Sequence, residues 1–262
     1  MSESRIERAG HSLYKEFTSR EQFSLMVGPD APVDIEEAYS VQDIYMDLKA
    51  ADSGGYAGYK IAYTTKVMQE RLGAKEPVYG RILSDGVFNS PCKVQASDYV
   101  NIGVECEVAV TLGKDLLQGE APFTRETVYE SVAHIALAFE VIDGRPFLGD
   151  ASIPQSIATN ISGAGVVMGD TVEGWRDLDV PGAVCELKLN GQSVGTARGE
   201  DVNGHPVEPM IWIANAVASR GKSLRKGDVV ITGSMIPPTF IEAGTIAVVE
   251  MDNLGSVSLD VW

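Results

Sequence analysis

The spacing of apolar residues along the chain separates helical segments from extended ones. Apolar side chains from Ala38 to Leu48 recur at helical intervals, and Asp34 with Glu37 three residues later is typical of a helix start. Glycines at positions 54 and 55 end this run. We predict further helices in the N-terminal arm (1–28) and over residues 65–72, 124 to about 134, and 209–219.

Short runs rich in β-branched residues predict strands elsewhere in the chain. These runs cover residues 58–62, 104–110, 139–143, 228–232, 245–251 and 256–261, and Asn190-Gly191 predicts a hairpin over 184–197. The strands do not alternate regularly with helices, as they would in βαβ units. The pattern therefore predicts an α+β protein with a mixed β-sandwich or β-roll core.

Two of the predicted strands carry acidic residues inside apolar runs. Residues two apart on a strand share a face, so Glu105 and Glu107 point the same way and Cys106 points into the packing. Two like charges on a half-buried strand repel each other unless a positive charge lies between them, and segment 104–113 contains no basic residue. A hard divalent cation would meet this need, with Glu140 from a neighbouring strand as a third oxygen ligand. A sheet face covered by water is the alternative, because spacing alone does not distinguish the two.

The composition limits the classes of partner. The chain has 262 residues and a formal net charge of −16, which disfavours nucleic acid and anionic membranes as partners. It has no apolar run of the roughly 18 residues that a membrane span needs, and its first residues lack the apolar core of a signal peptide. Three cysteines at unrelated spacings indicate reduced thiols in a cytoplasmic protein rather than a paired-cysteine metal site.

Lys60, inside the apolar strand at 58–62, is the best candidate for proton transfer. A lysine in this setting has two alternatives. It extends its ammonium group to water, or it is buried and its pKa falls.

Several polar residues are candidates for binding a small anionic substrate. Arg145 is suited to a carboxylate, although an ion pair with Asp143 is the structural alternative. Asn160, Ser162 and Ser234 lie in glycine-flanked turns that present hydrogen-bond donors, as an ordinary loop also would. The three histidines form no Ser-His-Asp or Cys-His arrangement, and a carboxylate site without histidine favours Mg²⁺ or Mn²⁺ over Zn²⁺.

Short motifs follow one another along the chain in a specific order. They are Gly58-Tyr59-Lys60, Tyr79-Gly80, Val104-Glu105-Cys106-Glu107, Gly113-Lys114-Asp115-Leu116, Glu140-Val141-Ile142-Asp143-Gly144-Arg145, Asn160-Ile161-Ser162, Gly204-His205-Pro206, Ile231-Thr232-Gly233-Ser234 and Leu254-Gly255-Ser256-Val257-Ser258. As an ordered set they resemble the fumarylacetoacetate hydrolase superfamily, and within it the 2-keto-4-pentenoate hydratase and 4-oxalocrotonate decarboxylase branch. The resemblance implies a mixed β-roll catalytic core at 76–262 with an N-terminal helical portion at 1–75.

The same resemblance implies a chemistry for the site. Glu105, Glu107 and Glu140 would hold Mg²⁺ or Mn²⁺, and Lys60 would transfer a proton. The substrate would be a small 2-hydroxy-2,4-dienoate or 2-oxo acid of aromatic catabolism that chelates the metal through its carboxylate and C2 oxygen. Members of the branch assemble as homo-oligomers.

Residues around the site bear on which reaction is catalysed. The decarboxylases resemble this chain at Tyr79, where the hydratases carry an acid, whereas the Thr232-Gly233-Ser234 turn resembles the hydratase version. Thr159 stands where the hydratases have Asp. We favour a hydratase, with decarboxylation at the same metal, acylpyruvate hydrolysis and catalytically silent keto-acid binding as alternatives. Arg81 and the N-terminal arm are candidates for setting substrate specificity.

Overall fold

Six α-helices lie in the part of the chain that the computed structural model describes, residues 4–24, 28–145 and 151–262. They are α1 Arg5–Thr18, α2 Ile35–Asp52, α3 Lys66–Leu72, α4 Arg125–Ser131, α5 Ile153–Ala158 and α6 Pro209–Ser219. The Ser4 side chain caps α1 by accepting the backbone N–H of Glu7, and the Asp34 side chain caps α2 by accepting that of Glu37. The helices predicted from the patterns at 34–48, 65–72 and 209–219 are confirmed. None of the described helices is both long and apolar enough to cross a bilayer.

Thirteen strands form two sheets in the described residues. They are β1 Tyr56–Ala62, β2 Val78–Leu83, β3 Val87–Asn89, β4 Cys92–Val94, β5 Ile102–Leu112, β6 Val132–Asp143, β7 Gly163–Val172, β8 Val184–Leu189, β9 Gln192–Arg198, β10 Val229–Ile231, β11 Ile236–Phe240, β12 Thr245–Met251 and β13 Gly255–Val261. Asn190 and Gly191 join β8 to β9 with φ of 49° and 79°. This is the left-handed turn that the Asn-Gly pair predicts.

The first sheet curls into a roll. Its strand order is β2-β1-β10-β5-β6-β7-β3, with β11 also paired to β5. β2 nevertheless lies against β7, although four strands separate them in the order, so the sheet bends until its two sides approach. Lys60 faces the interior with Ile231 and three alanines, and these small side chains leave room inside the roll. The alanines are Ala109, Ala136 and Ala138.

The second sheet covers the outer face of the roll. Its order is β4-β13-β12-β8-β9, and β13 packs on β6 and β7. Cys106 and Val108 point outward into this interface and are fully buried, as their alternation with the glutamates predicts. Burying a side chain such as Leu137 or Phe139 there stabilises the fold by about 1.5–3 kcal/mol.

Two parts of the secondary structure differ from the sequence-based expectation. The helix predicted to reach about residue 134 is wrong beyond Ser131, because residues 132–134 pair with the end of β5 and begin β6. The pairing with β5 outweighs the local helical pattern. We did not predict α5, β7 or β11, and β11 contains Pro237 and Pro238, which its position at the sheet edge tolerates.

The N-terminal portion contributes directly to the first sheet. α1, α2 and α3 lie within residues 1–75, and so does β1. β1 pairs in parallel with β10 and antiparallel with β2. This pairing brings Lys60 into the interior of the roll.

Candidate metal centre

Three carboxylates converge inside the roll. Glu105 and Glu107 lie on the inner face of β5, and Glu140 lies on β6 directly opposite Glu105. One carboxylate oxygen from each residue lies within 4.8 Å of the others. The alternation on β5 and its register with β6 therefore bring together the residues predicted as metal ligands.

Burial makes this cluster electrostatically costly without a counter-charge. Glu107 and Glu140 are each 1% exposed, and Glu105 is partly buried. Burial, and then the charge of Glu140, raise the pKa of Glu105 to about 8. The same two causes, with Glu105 added, raise the pKa of Glu107 well above its usual value, although the Gly233 N–H donates to its Oε2 at 2.7 Å.

The donor set fits a hard divalent cation. Both carboxylate oxygens of Glu140 are buried: Oε1 lies 2.7 Å from Lys60 Nζ, and Oε2 accepts no hydrogen bond from the described residues. Oxygens that share one Mg²⁺ or Ca²⁺ at about 2.0–2.6 Å lie no more than about 5 Å apart, as these do. A solvated sheet face, the alternative from sequence, does not describe carboxylates buried to this extent.

Lys60 lies beside the cluster with its ammonium group buried. Its Nζ is 2.7 Å from Glu140 Oε1 and donates to the Ile161 carbonyl at 2.9 Å. The side chain is 2% exposed, so it does not extend to water. Burial alone would lower its pKa, but the charges of Glu140 and Glu105 outweigh burial and raise it. The expectation that a buried Lys60 has a lowered pKa is therefore wrong.

A strained turn holds the Lys60 acceptor in place. Asn160, Ile161 and Ser162 have φ of 57°, 50° and 58°, a left-handed conformation that is uncommon for non-glycine residues. The Asn160 side chain bridges this turn to β2, where its Oδ1 accepts the Arg81 N–H at 2.7 Å and its Nδ2 donates to the Arg81 carbonyl at 3.0 Å. Strain of this kind clusters at functional sites.

The two predicted serines differ in their hydrogen bonding. The Ser234 hydroxyl donates to the Ile236 carbonyl at 2.6 Å, next to the glycine that binds Glu107. Ser162 is 7% exposed, and its hydroxyl makes no hydrogen bond with the described residues. Ser162 thus keeps its hydrogen-bonding capacity for another group.

Tyr79 and Arg81 point to the opposite face of the sheet from Lys60. Lys60 pairs with Gly80, so the neighbours of Gly80 on β2 face outward. Tyr79 stacks on Tyr39 with ring centroids 4.5 Å apart, and the Arg81 guanidinium lies 4.3 Å from the Tyr59 ring centroid. Their roles in substrate binding stay predictions, and these contacts are structural.

Arg145 is buried in contacts with the N-terminal helix. Its Nε lies 2.5 Å from Asp143 Oδ2, and its Nη1 donates to the Phe17 carbonyl at 3.0 Å, to another carbonyl in the last turn of α1 and to one just beyond the helix. The side chain is 3% exposed. These contacts favour the structural alternative for Arg145.

Glycines allow the close approach that the site requires. A Cβ at Gly80 would lie 2.7 Å from Asn160 Oδ1 and 3.1 Å from Lys60 Cγ. A Cβ at Gly163 would lie 3.2 Å from Glu140 Oε1. Sequence reasoning assigned no role to these two glycines, because an isolated glycine does not show which side chain will approach it.

Comparison with known sequences places the core of the chain in one family. Residues 84–262 match the sequence profile described as fumarylacetoacetate (FAA) hydrolase C-terminal. A 2-keto-4-pentenoate hydratase of Paraburkholderia xenovorans (strain LB400) is 27% identical over 257 residues, which are 98% of this chain and 95% of that protein. A 2-hydroxyhexa-2,4-dienoate hydratase of Comamonas testosteroni is 28% identical over 256 residues, 97% of this chain and 96% of that protein.

Comparison with solved structures supports the β-roll. A 4-oxalocrotonate decarboxylase from Pseudomonas putida G7, complexed with magnesium and adipate, has a TM-score of 0.89 over 100% of this chain and 99% of its own, at 20% identity. A fumarylpyruvate hydrolase from Pseudomonas aeruginosa, in complex with Mn²⁺ and pyruvate, has a TM-score of 0.58 at 19% identity and covers 78% of this chain and 88% of its own. The predicted α+β roll with an N-terminal helical portion is confirmed.

Proposed function

Because the chain belongs to the fumarylacetoacetate hydrolase C-terminal family, we propose that it is a divalent-metal-dependent hydratase of a 2-hydroxy-2,4-dienoate or the corresponding 2-oxo-4-enoate. The convergence of Glu105, Glu107 and Glu140 beside a buried lysine carries the proposal. Relatives that span nearly the whole chain are named as hydratases of such acids, which supports the substrate class.

The three glutamates would hold the ion, and their all-oxygen donor set suits Mg²⁺ or Mn²⁺. When bound, the ion supplies a Lewis acid for the oxygens of a chelating 2-oxo or 2-hydroxy acid. We assign metal binding to these residues because Glu140 Oε2 is buried and accepts no hydrogen bond in the described part of the chain, and the single Lys60 does not balance three carboxylates.

Lys60 would carry the proton. The neighbouring carboxylates keep its ammonium group charged, so Nζ can pair with negative charge on the substrate and deliver a proton to it. The Ile161 carbonyl and Glu140 fix Nζ from two directions, which orients it before the substrate binds. Asn160 would position this turn, and the Ser162 hydroxyl would donate to the substrate.

Decarboxylation at the same metal is the second candidate. It is favoured by the fold similarity to a 4-oxalocrotonate decarboxylase over the whole chain. The presence of Tyr79, which resembles the decarboxylases, does not decide the reaction directly, because this side chain points away from the carboxylates. We give less weight to the hydrolase alternative, since it needs a His–Glu pair over the metal and only His11 of the N-terminal arm could supply the histidine. The buried Lys60 disfavours a silent binder.

A direct assay separates these candidates. The protein is incubated with Mg²⁺ and either 2-hydroxypenta-2,4-dienoate or 2-oxohex-3-enedioate. Loss of the diene absorbance with water incorporated is the result we expect, whereas release of CO₂ would identify a decarboxylase. If neither acid is hydrated or decarboxylated, the lyase proposal is overturned.

We also propose a cytoplasmic homo-oligomer. Cys92, Cys106 and Cys185 are all free, which suits a reducing compartment, and the resemblance implies assembly into homo-oligomers. Light scattering coupled to size-exclusion chromatography would test the assembly, and a mass of 28.1 kDa, that of a single chain, would contradict it.

A further inference from the structure

A two-residue loop between β10 and β11 lies against Glu107. The backbone N–H groups of residues 232 and 235, on either side of this loop, donate to carbonyls of β5 at 3.2 and 2.9 Å. Within the loop, the Gly233 N–H donates to Glu107 Oε2 at 2.7 Å. The position of Gly233 therefore sets the direction of one carboxylate of the metal centre.

Thr64 occupies the space beside Gly233. The φ of Gly233 is 116°, and a Cβ at this position would lie 2.5 Å from Thr64 Oγ1 and 2.8 Å from Thr64 Cγ2. Thr64 is 7% exposed, and its hydroxyl makes no hydrogen bond with the described residues. The contact is therefore one of shape, in which the Thr64 side chain limits the movement of Gly233.

A strained turn at the end of β1 holds Thr64 in this place. Tyr63 has a φ of 57°, a left-handed conformation that is uncommon for a non-glycine residue. The Gln69 side chain, on α3, donates to the Tyr63 carbonyl at 2.9 Å and to the Thr64 carbonyl at 3.5 Å. None of the residues of α3 is buried, so this helix adds little to the core, but it supports the turn.

We propose that Thr64 is a positioning residue of the metal centre, which acts on Glu107 through Gly233. The inference rests on the metal binding of the proposed function. Gln69 holds the backbone of the turn, Thr64 packs against Gly233, and the Gly233 N–H orients the Glu107 carboxylate. Groups that orient a metal ligand in this way typically contribute about 10–100-fold to the metal affinity.

Two ions of different size distinguish orientation of the ligand from general stability. Mg²⁺ requires a nearly octahedral set of oxygens at about 2.0–2.1 Å, whereas Ca²⁺ accepts about six to eight oxygens at about 2.3–2.6 Å in flexible arrangements. A Glu107 carboxylate that is less well oriented should therefore weaken Mg²⁺ binding more than Ca²⁺ binding. A general loss of stability would lower both affinities alike.

Calorimetric titration of the whole protein with Mg²⁺, and separately with Ca²⁺, tests the role of Thr64. Thr64→Ala opens space beside Gly233, and we expect the Mg²⁺ affinity to fall by at least about tenfold. The Ca²⁺ affinity should stay within about threefold of that of the parent. Thr64→Val keeps the shape of the side chain and should leave both affinities within about threefold, since the hydroxyl has no partner.

Thr196→Ala is a matched control, because Thr196 is exposed on β9 of the second sheet. It is expected to leave both affinities unchanged. If Thr64→Ala fails to fold, Gln69→Ala tests the same support from α3, which buries no residue. We expect its Mg²⁺ affinity to fall by at least about threefold with little change for Ca²⁺, and an unchanged Mg²⁺ affinity would contradict the inference.

The outcomes distinguish this inference from the proposed function. An unchanged Mg²⁺ affinity in Thr64→Ala, or an equal loss of Mg²⁺ and Ca²⁺ affinity, overturns the positioning role and leaves the metal centre intact. A loss in Thr64→Val as large as that in Thr64→Ala also overturns it, because the hydroxyl would then act rather than the shape. Binding of neither ion by the parent protein overturns the metal-dependent function itself.

Discussion

Glu140 is the residue on which the charge balance of the centre depends. One of its oxygens lies 2.7 Å from Lys60 Nζ, yet neither oxygen has a well-aligned hydrogen-bond donor among the described residues. Three carboxylates and one ammonium group leave an excess of negative charge in a buried space. A dication would offset this excess, which neither hydration nor the single lysine can do.

Glu107→Gln tests metal binding at the residue scale. The substitution preserves the shape and the acceptor for the Gly233 N–H, but it removes one ligand charge. We expect the Mg²⁺ affinity to fall by at least about tenfold and turnover to be lost, while the metal-free protein stays folded because like-charge repulsion is relieved. Calorimetric titration with Mg²⁺ measures the affinity. Glu173→Gln, at an exposed position, serves as the control, and Mg²⁺ binding as tight as that of the parent would remove Glu107 from the ligand set.

Lys60→Met tests proton transfer at the same scale. The variant lacks the ammonium group but fills a similar volume, so turnover should fall by about 10²–10⁴-fold. Mg²⁺ binding should be retained or tightened, because a positive charge beside Glu140 is removed. Steady-state kinetics and metal titration are measured on the same preparation. Unchanged turnover would show that Lys60 does not take part in the reaction.

Elements far apart in the chain meet at the turn of residues 160–162. A left-handed conformation costs a non-glycine residue about 1–2 kcal/mol, and three such residues follow one another here. The hydrogen bonds between the Asn160 side chain and β2 hold the turn in this conformation. The turn thereby fixes the Ile161 carbonyl, which accepts the hydrogen bond from Lys60 Nζ. Backbone strain and site geometry are therefore linked.

Arg145→Leu tests how the N-terminal helix is held on the roll. Arg145 binds Asp143 and three carbonyls near the end of α1, and its loss leaves a buried carboxylate without its counter-ion. We expect the free energy of unfolding to fall by about 3–5 kcal/mol with little change in substrate KM. Denaturant unfolding and kinetics measure the two effects. Arg225→Leu removes an exposed pair with Asp115 and is expected to cost less than about 1 kcal/mol. A raised KM with unchanged stability would instead identify Arg145 as a substrate-binding residue.

The stability of the whole molecule should depend on pH through the metal centre. Glu105 has a pKa of about 8, and that of Glu107 is also raised, so the folded metal-free protein binds more protons than the unfolded chain between about pH 4.5 and 8. The stabilisation from these groups is present below pH 4.5 and is lost as the pH rises through 8. Binding of Mg²⁺ displaces the protons, so its affinity should increase over the same range.

Thermal unfolding with and without Mg²⁺ at pH 6 and pH 8 measures this dependence. The same Mg²⁺ concentration, about a hundredfold above the Kd at pH 8, is used at both pH values. We expect the rise in Tm to be about 5 °C at pH 8 and smaller at pH 6. Glu107→Gln is expected to lose most of the rise at both pH values. A rise that is equal at pH 6 and pH 8 would contradict the coupling between protons and metal.

Local sequence was sufficient for the features that depend on chain geometry alone. The alternation of a strand placed Glu105 and Glu107 on one face and Cys106 in the core, and the turn at Asn190-Gly191 followed from its two residues. Helix α2 was predictable from its cap and its apolar period. In each case the controlling interactions lie within a few residues of one another, so the amino-acid sequence determined them directly.

The tertiary structure decided the features that depend on neighbours distant in sequence. Whether Lys60 was exposed or buried, and whether its pKa fell or rose, depended on Glu140 of another strand. The direction of Tyr79 and the burial of Arg145 against α1 depended on strand register and on the docking of a helix more than a hundred residues away. Residues 132–134 became a strand because β5 offered hydrogen bonds that the local pattern did not show. Electrostatics and sheet pairing act through space, and only the folded chain determines which charges and strands are adjacent.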